Sequence, residues 1–157
     1  MKTTKKFLAI ILAILMATTI IPLTVSGASA TSGACGENLI WVFDDATGTL
    51  TISGTGDMED YNSSSTFPWN EFVSQIVKVV IENGVTSIGN YAFYDLDYVT
   101  EAVLGDSITT IGERAFQYSR KLKTVKFPAN LTTIEYSAFS STAVSNVELG
   151  NKLTTIG

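Results

Sequence analysis

Histidine is absent from all 157 residues, and cysteine occurs once, at Cys35. Without histidine there is no Ser-His-Asp or Cys-His nucleophile and no histidine-ligated zinc. A single cysteine excludes an internal disulfide and a thiolate metal cluster. Ser-Lys and paired-carboxylate chemistry remain compatible with the composition, but no motif positions either. The expectation is therefore a protein that is not an enzyme, with no catalytic residue, no cofactor and no metal site. Positive charge is also scarce, at ten Lys and Arg against fifteen Asp and Glu.

Three of the ten cations, Lys2, Lys5 and Lys6, precede an apolar run from Phe7 to Ile21 that ends near Pro22 and the small-residue triplet Ala28-Ser29-Ala30. A basic start, a short apolar run and an A-x-A site are the marks of a signal peptide. The run is shorter than the roughly 20 residues a spanning helix needs, although an uncleaved anchor is the alternative. Cleavage is expected after Ala30, giving a signal peptide over residues 1–30, a secreted or cell-surface location and no membrane insertion after cleavage. No acidic residue lies in that segment, so the remainder holds seven cations against fifteen anions, a net charge of −8. Such a chain repels phosphate backbones, which excludes nucleic acid as a partner. Lipid attachment at Cys35 is disfavoured, because Ser32 stands three residues before it and the apolar run ends well upstream. Cys35 reads instead as a small semi-apolar residue at the entrance to the domain.

The sequence is organised by an internal repeat. Val85-Thr-Ser-Ile-Gly-Asn-Tyr-Ala-Phe93, Ile108-Thr-Thr-Ile-Gly-Glu-Arg-Ala-Phe116, Leu131-Thr-Thr-Ile-Glu-Tyr-Ser-Ala-Phe139 and Leu153-Thr-Thr-Ile-Gly157 align, their first residues 23, 23 and 22 apart. Before each lies an alternating pair, Val79/Ile81, Ala102/Leu104, Val125/Phe127 and Val147/Leu149, preceded at three residues by Ile76, Val99, Leu122 and Val144. Alternation puts each pair on one face of a strand. A single copy cannot bury that face, so copies must stack into a parallel sheet with a shared core. The Ile-Gly step suits a turn with positive φ, although Glu135 replaces glycine in the third copy. The Ala-Phe segment reads as an outer turn or short helical piece whose Phe fills the layer between repeats.

Residues 31–75 differ in character and are expected to form an amino-terminal capping region, with the repeats occupying 76–157. Leu39–Phe43 and Thr49–Ser53, separated by Asp44-Asp-Ala-Thr-Gly48, predict a β-hairpin over the first core layer. Gly54 to Phe67 reads as loop, Phe67-Pro68-Trp69 as a segment docked on the cap, and Asn70 to Gln75 as a short turn or helix. The acidic stretch Asp57-Met-Glu-Asp-Tyr-Asn62 has oxygen ligands of the type Ca²⁺ takes but lacks EF-hand spacing, so a solvated loop is the preferred reading.

The Leu-Thr-x-Ile-Gly-x-x-Ala-Phe motif at a 23-residue period resembles the BspA-type bacterial leucine-rich repeats over about residues 35–157. Gly48-Thr-Leu-Thr-Ile-Ser-Gly-Thr-Gly56 and Pro68-Trp69 are similar to the segments that precede such repeats. The resemblance implies an α/β-type, mainly β, right-handed leucine-rich-repeat solenoid with a parallel sheet and an amino-terminal hairpin cap. It also implies a secreted or surface protein that adheres to extracellular proteins or glycans, and it supplies no catalytic residues. The alternatives are a non-catalytic repeat region of a larger secreted peptidase or glycan hydrolase, or a structural cell-wall array. Alignment predicts two outward columns on the concave face, Lys78, Glu101, Thr124, Asn146 and Val80, Val103, Lys126, Glu148, as the candidate binding surface, with cross-rung ion pairs Lys78/Glu101 and Lys126/Glu148. Arg120, Lys121, Lys123 and Lys126 form a basic cluster that offers a local contact point for an acidic partner. Gly157 falls before the Ala-Phe of the fourth copy, so a fragment of a longer chain is expected, as is a monomeric solenoid.

Overall fold

The computed structural model describes residues 31–63 and 67–157; the segment read as a signal peptide lies outside them. Strands β1 (Thr31–Gly36), β2 (Leu39–Asp44) and β3 (Thr49–Gly54) are antiparallel neighbours. Between β2 and β3 the Asp44 carboxylate accepts bonds from the Ala46 amide at 3.0 Å and the Thr47 hydroxyl at 2.8 Å. Gly48 closes the turn at φ 64°, which is the turn chemistry the sequence predicts. Strand β3 then pairs in parallel with β5 (Lys78–Ile81), which pairs with β7 (Glu101–Leu104), which pairs with β9 (Thr124–Lys126). Hairpin and repeats thus share one six-stranded sheet, ordered β1-β2-β3-β5-β7-β9.

A second sheet appears where the sequence suggested only turns. It comprises β4 (Gly56–Asp57), β6 (Val85–Ile88), β8 (Thr110–Ile111), β10 (Thr133–Ile134) and β11 (Thr155–Ile156), all parallel. Each Thr-x-Ile step is therefore a strand of its own. Inward side chains from both sheets meet in one core: Val79, Ile81, Ala102 and Leu104 from the first, Val85, Ile88 and Ile111 from the second. The Phe residues extend this core as a stack. Trp69, Phe93, Phe116 and Phe139 follow one another with ring centroids 5.5, 5.0 and 5.2 Å apart. Trp69, carried just before a 3₁₀ turn at Asn70–Phe72, is the first rung of that stack.

Three expectations change, and one strand goes beyond them. Part of the stretch read as loop, Gly56–Asp57, is the edge strand β4. Cys35 sits fully buried in β1, a strand whose two glycines hide it from propensity reasoning. The Ile-Gly glycines do not adopt positive φ. Their role is close approach, because a Cβ at Gly89 would lie 1.9 Å from the Glu59 carbonyl oxygen and one at Gly112 would lie 2.7 Å from the Asn90 nitrogen. The left-handed residues are instead Tyr91, Arg114 and Ser137, two positions later, and Asp95, Tyr118 and Ser141 beyond the Phe. Finally, the fourth alternating run does not join the sheet, and Val147 and Leu149 are 49% and 39% exposed. Its link is one residue short, since Leu122 and Val144 are 22 apart where Val99 and Leu122 are 23 apart. One residue fewer removes about 3.5 Å of reach.

Candidate binding face

Side chains that point away from the core on the six-stranded sheet form two rows by register. One runs Asp44, Thr49, Lys78, Glu101, Thr124; the other runs Ser32, Val42, Thr51, Val80, Val103, Lys126. The structure thus brings together six of the eight predicted face residues. Asn146 and Glu148 lie outside the sheet, exposed, because the fourth rung is not formed. The rows also continue into the hairpin, through Val42 and Thr51, which the repeat alignment did not include. A signal was present: Thr49-Leu-Thr-Ile52 has the alternation of Lys78-Val-Val-Ile81, and Leu50 and Ile52 pair with Val79 and Ile81.

Lys78 and Glu101 form the expected cross-rung pair, with Nζ to Oε2 at 3.1 Å and both side chains over one-third exposed. An exposed pair of this kind contributes about 0–1 kcal/mol, so it sets local order more than stability. Lys126 forms no such pair with Glu148 among the described residues. At the carboxyl ends of β5 and β7 the surface opens into a groove of about 470 Å³. Val80 and Val103 supply half-buried apolar surface, Lys126 stands at one side, and Glu82, Asn83 and Asp106 supply polar groups. The Asn83 side chain accepts the Asp106 amide at 2.7 Å, which ties the two rungs of the rim together. An apolar strip beside a cation, two carboxylates and an amide offers contact area and directional hydrogen bonds to a polar macromolecule.

The acidic stretch 57–62 is used structurally. Asp57 accepts the Thr86 hydroxyl at 2.6 Å, and that bond, with one from Ser87, holds its carboxyl below the usual range. Asp60 accepts the Asn90 amide at 2.8 Å. Both carboxylates thus fasten the β4 region to the first repeat. Cys35 is unsuited to chemistry, since burial and then the Glu59 carboxylate push its thiol up to about 12 and keep it protonated near neutrality. The predicted basic cluster divides: Lys126 faces outward from β9, whereas Arg120 and Lys121 lie on the turn edge against Tyr118 and Tyr98. Among the described residues, no helix is long and apolar enough to cross a membrane.

Comparison with known proteins agrees with this geometry. The profile described as BspA type Leucine rich repeat region, in 6 copies, matches residues 66–157. A leucine-rich repeat protein of Eubacterium ventriosum ATCC 27560 is 26% identical with a TM-score of 0.65, over 82% of this chain and 40% of that one. The chain therefore spans well under half the length of that relative. The T. pallidum leucine rich repeat protein is 18% identical (TM-score 0.47), over 74% of this chain and 60% of its own. A leucine rich cell surface protein of Faecalibacterium prausnitzii A2-165 is 18% identical (TM-score 0.32), over 84% of this chain and 52% of its own. No curated protein matches the chain. The repeat register, the stacked parallel strands and the matched profile, which covers more than half the sequence, agree: the chain belongs to the BspA-type leucine-rich-repeat family.

Proposed function

We propose that this is a secreted or cell-surface binding protein, without catalytic activity of its own, that engages an extracellular protein or glycan in adhesion. The observation that carries this is the outward row Val42, Thr51, Val80, Val103, Lys126, in which the half-buried Val80 and Val103 face solvent between a cation and the Glu82 and Asp106 carboxylates. Solvated strand faces are ordinarily polar, and apolar surface kept there has no part in the core. The signal-like amino terminus and the family support an extracellular setting. Lys78, Glu101 and Thr124 flank the groove and complete the face. Asn146 and Glu148 lie outside the sheet and take no part in this face.

The test is an array of immobilised host matrix proteins and glycans probed with the protein and with a Val80→Asn/Val103→Asn variant. Both substitutions sit on the outward side, so circular dichroism should be unchanged. Retention of at least one array component, weakened about tenfold or more in the variant, is expected for residues central to an interface. Uniform absence of retention, or equal retention by the variant, contradicts the proposal.

A further inference from the structure

The groove at the carboxyl ends of β5 and β7 is small, closed to strand addition and mixed in charge. Its volume of about 470 Å³ falls within the roughly 300–1,000 Å³ of sites that hold small ligands. A folded protein partner covers about 800 Å² and some 20–30 residues on each side, more than a cleft crossing three strands provides. Strands β5 and β7 are each paired on both flanks. An extended peptide therefore cannot add there as a further strand, and any ligand is held by side chains alone.

Val80 and Val103 are direct partners in register, about 4.8 Å apart as neighbouring strands are. Together they make a half-buried apolar floor comparable in width with a pyranose ring. Around that floor stand exposed polar groups of both kinds: the Glu82 and Asp106 carboxylates as acceptors, Lys126 as a donor. Among the described residues, none of these three charged side chains takes part in an ion pair. The rim is fixed through main-chain contacts that leave these groups unused. Asn83 accepts the Asp106 amide through Oδ1 at 2.7 Å, and Asn130 Nδ2 donates to the Asp106 carbonyl at 2.9 Å. Three successive rungs are thereby tied together, and the Asn83 amide nitrogen is left as a second donor.

This arrangement sorts ligands by charge. A cation gains from Glu82 and Asp106 but meets Lys126 in the same cleft, and an anion gains only from Lys126. Anionic sugars are further disfavoured by the net charge of −8 over residues 31–157, which repels them at a distance. A neutral pyranose uses every group. Its C–H face covers the valines, and its hydroxyls, each both donor and acceptor, donate to the two carboxylates and accept from Lys126 and Asn83. A carboxylate is the stronger acceptor for such a hydroxyl because the bond is charge-assisted.

We propose that the groove over Val80 and Val103 is a subsite for a neutral sugar, with Glu82 and Asp106 receiving the hydroxyls. It rests on the reading of the outward sheet face as a binding surface, and it names the ligand class that surface takes.

The experiment is titration calorimetry of the full chain with neutral oligosaccharides of the gluco-, manno-, galacto- and N-acetylhexosamine series. Polygalacturonate serves as the anionic arm and the arrayed matrix proteins as the protein arm. At least one neutral series should bind, with affinity about tenfold or more weaker in Glu82→Gln/Asp106→Asn. Both positions are exposed and outside the core, so circular dichroism should not change, and Glu135→Gln, on the second sheet's turn, should bind within twofold. Affinity should also hold within twofold between about 0.05 and 0.5 M salt, since no net ion pair forms across the interface. Four results would overturn the proposal: no binding of any neutral series, affinity within twofold in the groove variant, a steep loss with salt, or tighter binding of polygalacturonate through the same residues. Retention of a matrix protein that depends on Val80 and Val103, with no neutral sugar bound, would overturn this proposal and leave the sheet-face reading standing; absence of both would end the two together.

Discussion

At Cys35, burial in β1 and the neighbouring Glu59 carboxylate leave the thiol with a pKa near 12 against an ordinary 9. A group whose folded pKa lies above its unfolded one adds stability that is complete below the unfolded value. That stability is lost as pH rises through the folded value. The urea midpoint should therefore fall between pH 8 and pH 10, and fall less in Cys35→Ala; equal falls would contradict the assignment. Tyr61, also pushed up by burial, titrates in the same direction but starts higher. Other single residues were legible as a pattern without a cause. The sequence shows threonine recurring at 109, 132 and 154, but not that each hydroxyl donates to the carbonyl of the preceding repeat, at 3.3, 2.9 and 3.1 Å. The left-handed residues were illegible for a related reason, since Tyr and Arg do not advertise positive φ as glycine does.

Among the elements, the strands that alternate over four residues were readable, and the two-residue strands were not. Thr110–Ile111 and Thr133–Ile134 are too short for periodicity to register, and they exist because each has a parallel partner on the next rung. Between the sheets and the turn edge runs the Phe stack, whose 23-residue recurrence did identify it as core. Phe116 is fully buried with Phe93 on one side and Phe139 on the other, at 5.0 and 5.2 Å. Phe116→Ala should cost about 3–5 kcal/mol, the range for a large aromatic removed from a close-packed core, measured by chemical denaturation. A loss below about 1 kcal/mol would mean that the stack is not a structural element. The turns on either side interlock as well. Tyr91, Phe93 and Asp95 donate their amides to Glu113, Ala115 and Gln117 of the next repeat at 2.8–2.9 Å. The turn edge is therefore a third hydrogen-bonded ladder rather than a loose fringe.

Over the whole molecule, hairpin and repeats form one continuous ladder. β3 and β4 stand where a repeat's two strands would stand, pairing with β5 and β6, and Trp69 takes the Phe position. In a stack where each unit contacts only its neighbours, such an end unit protects the first core layer from water. The sequence made the hairpin visible but not its parallel pairing with the repeats, because pairing between segments some 29 residues apart leaves no local trace. For the same reason the candidate face was legible over three rungs and missed its extension through Val42 and Thr51.

The proposed role of that face is tested most directly by carboxyl footprinting of the protein with and without the component retained on the array. Glu82 and Asp106 line the groove and Glu101 stands on the same outward face, while Asp57 and Glu135 lie on the second sheet and its turn. The expected result is protection of the first three on binding, with the last two unchanged. Protection of Asp57 and Glu135 with Glu82, Glu101 and Asp106 fully reactive would contradict it.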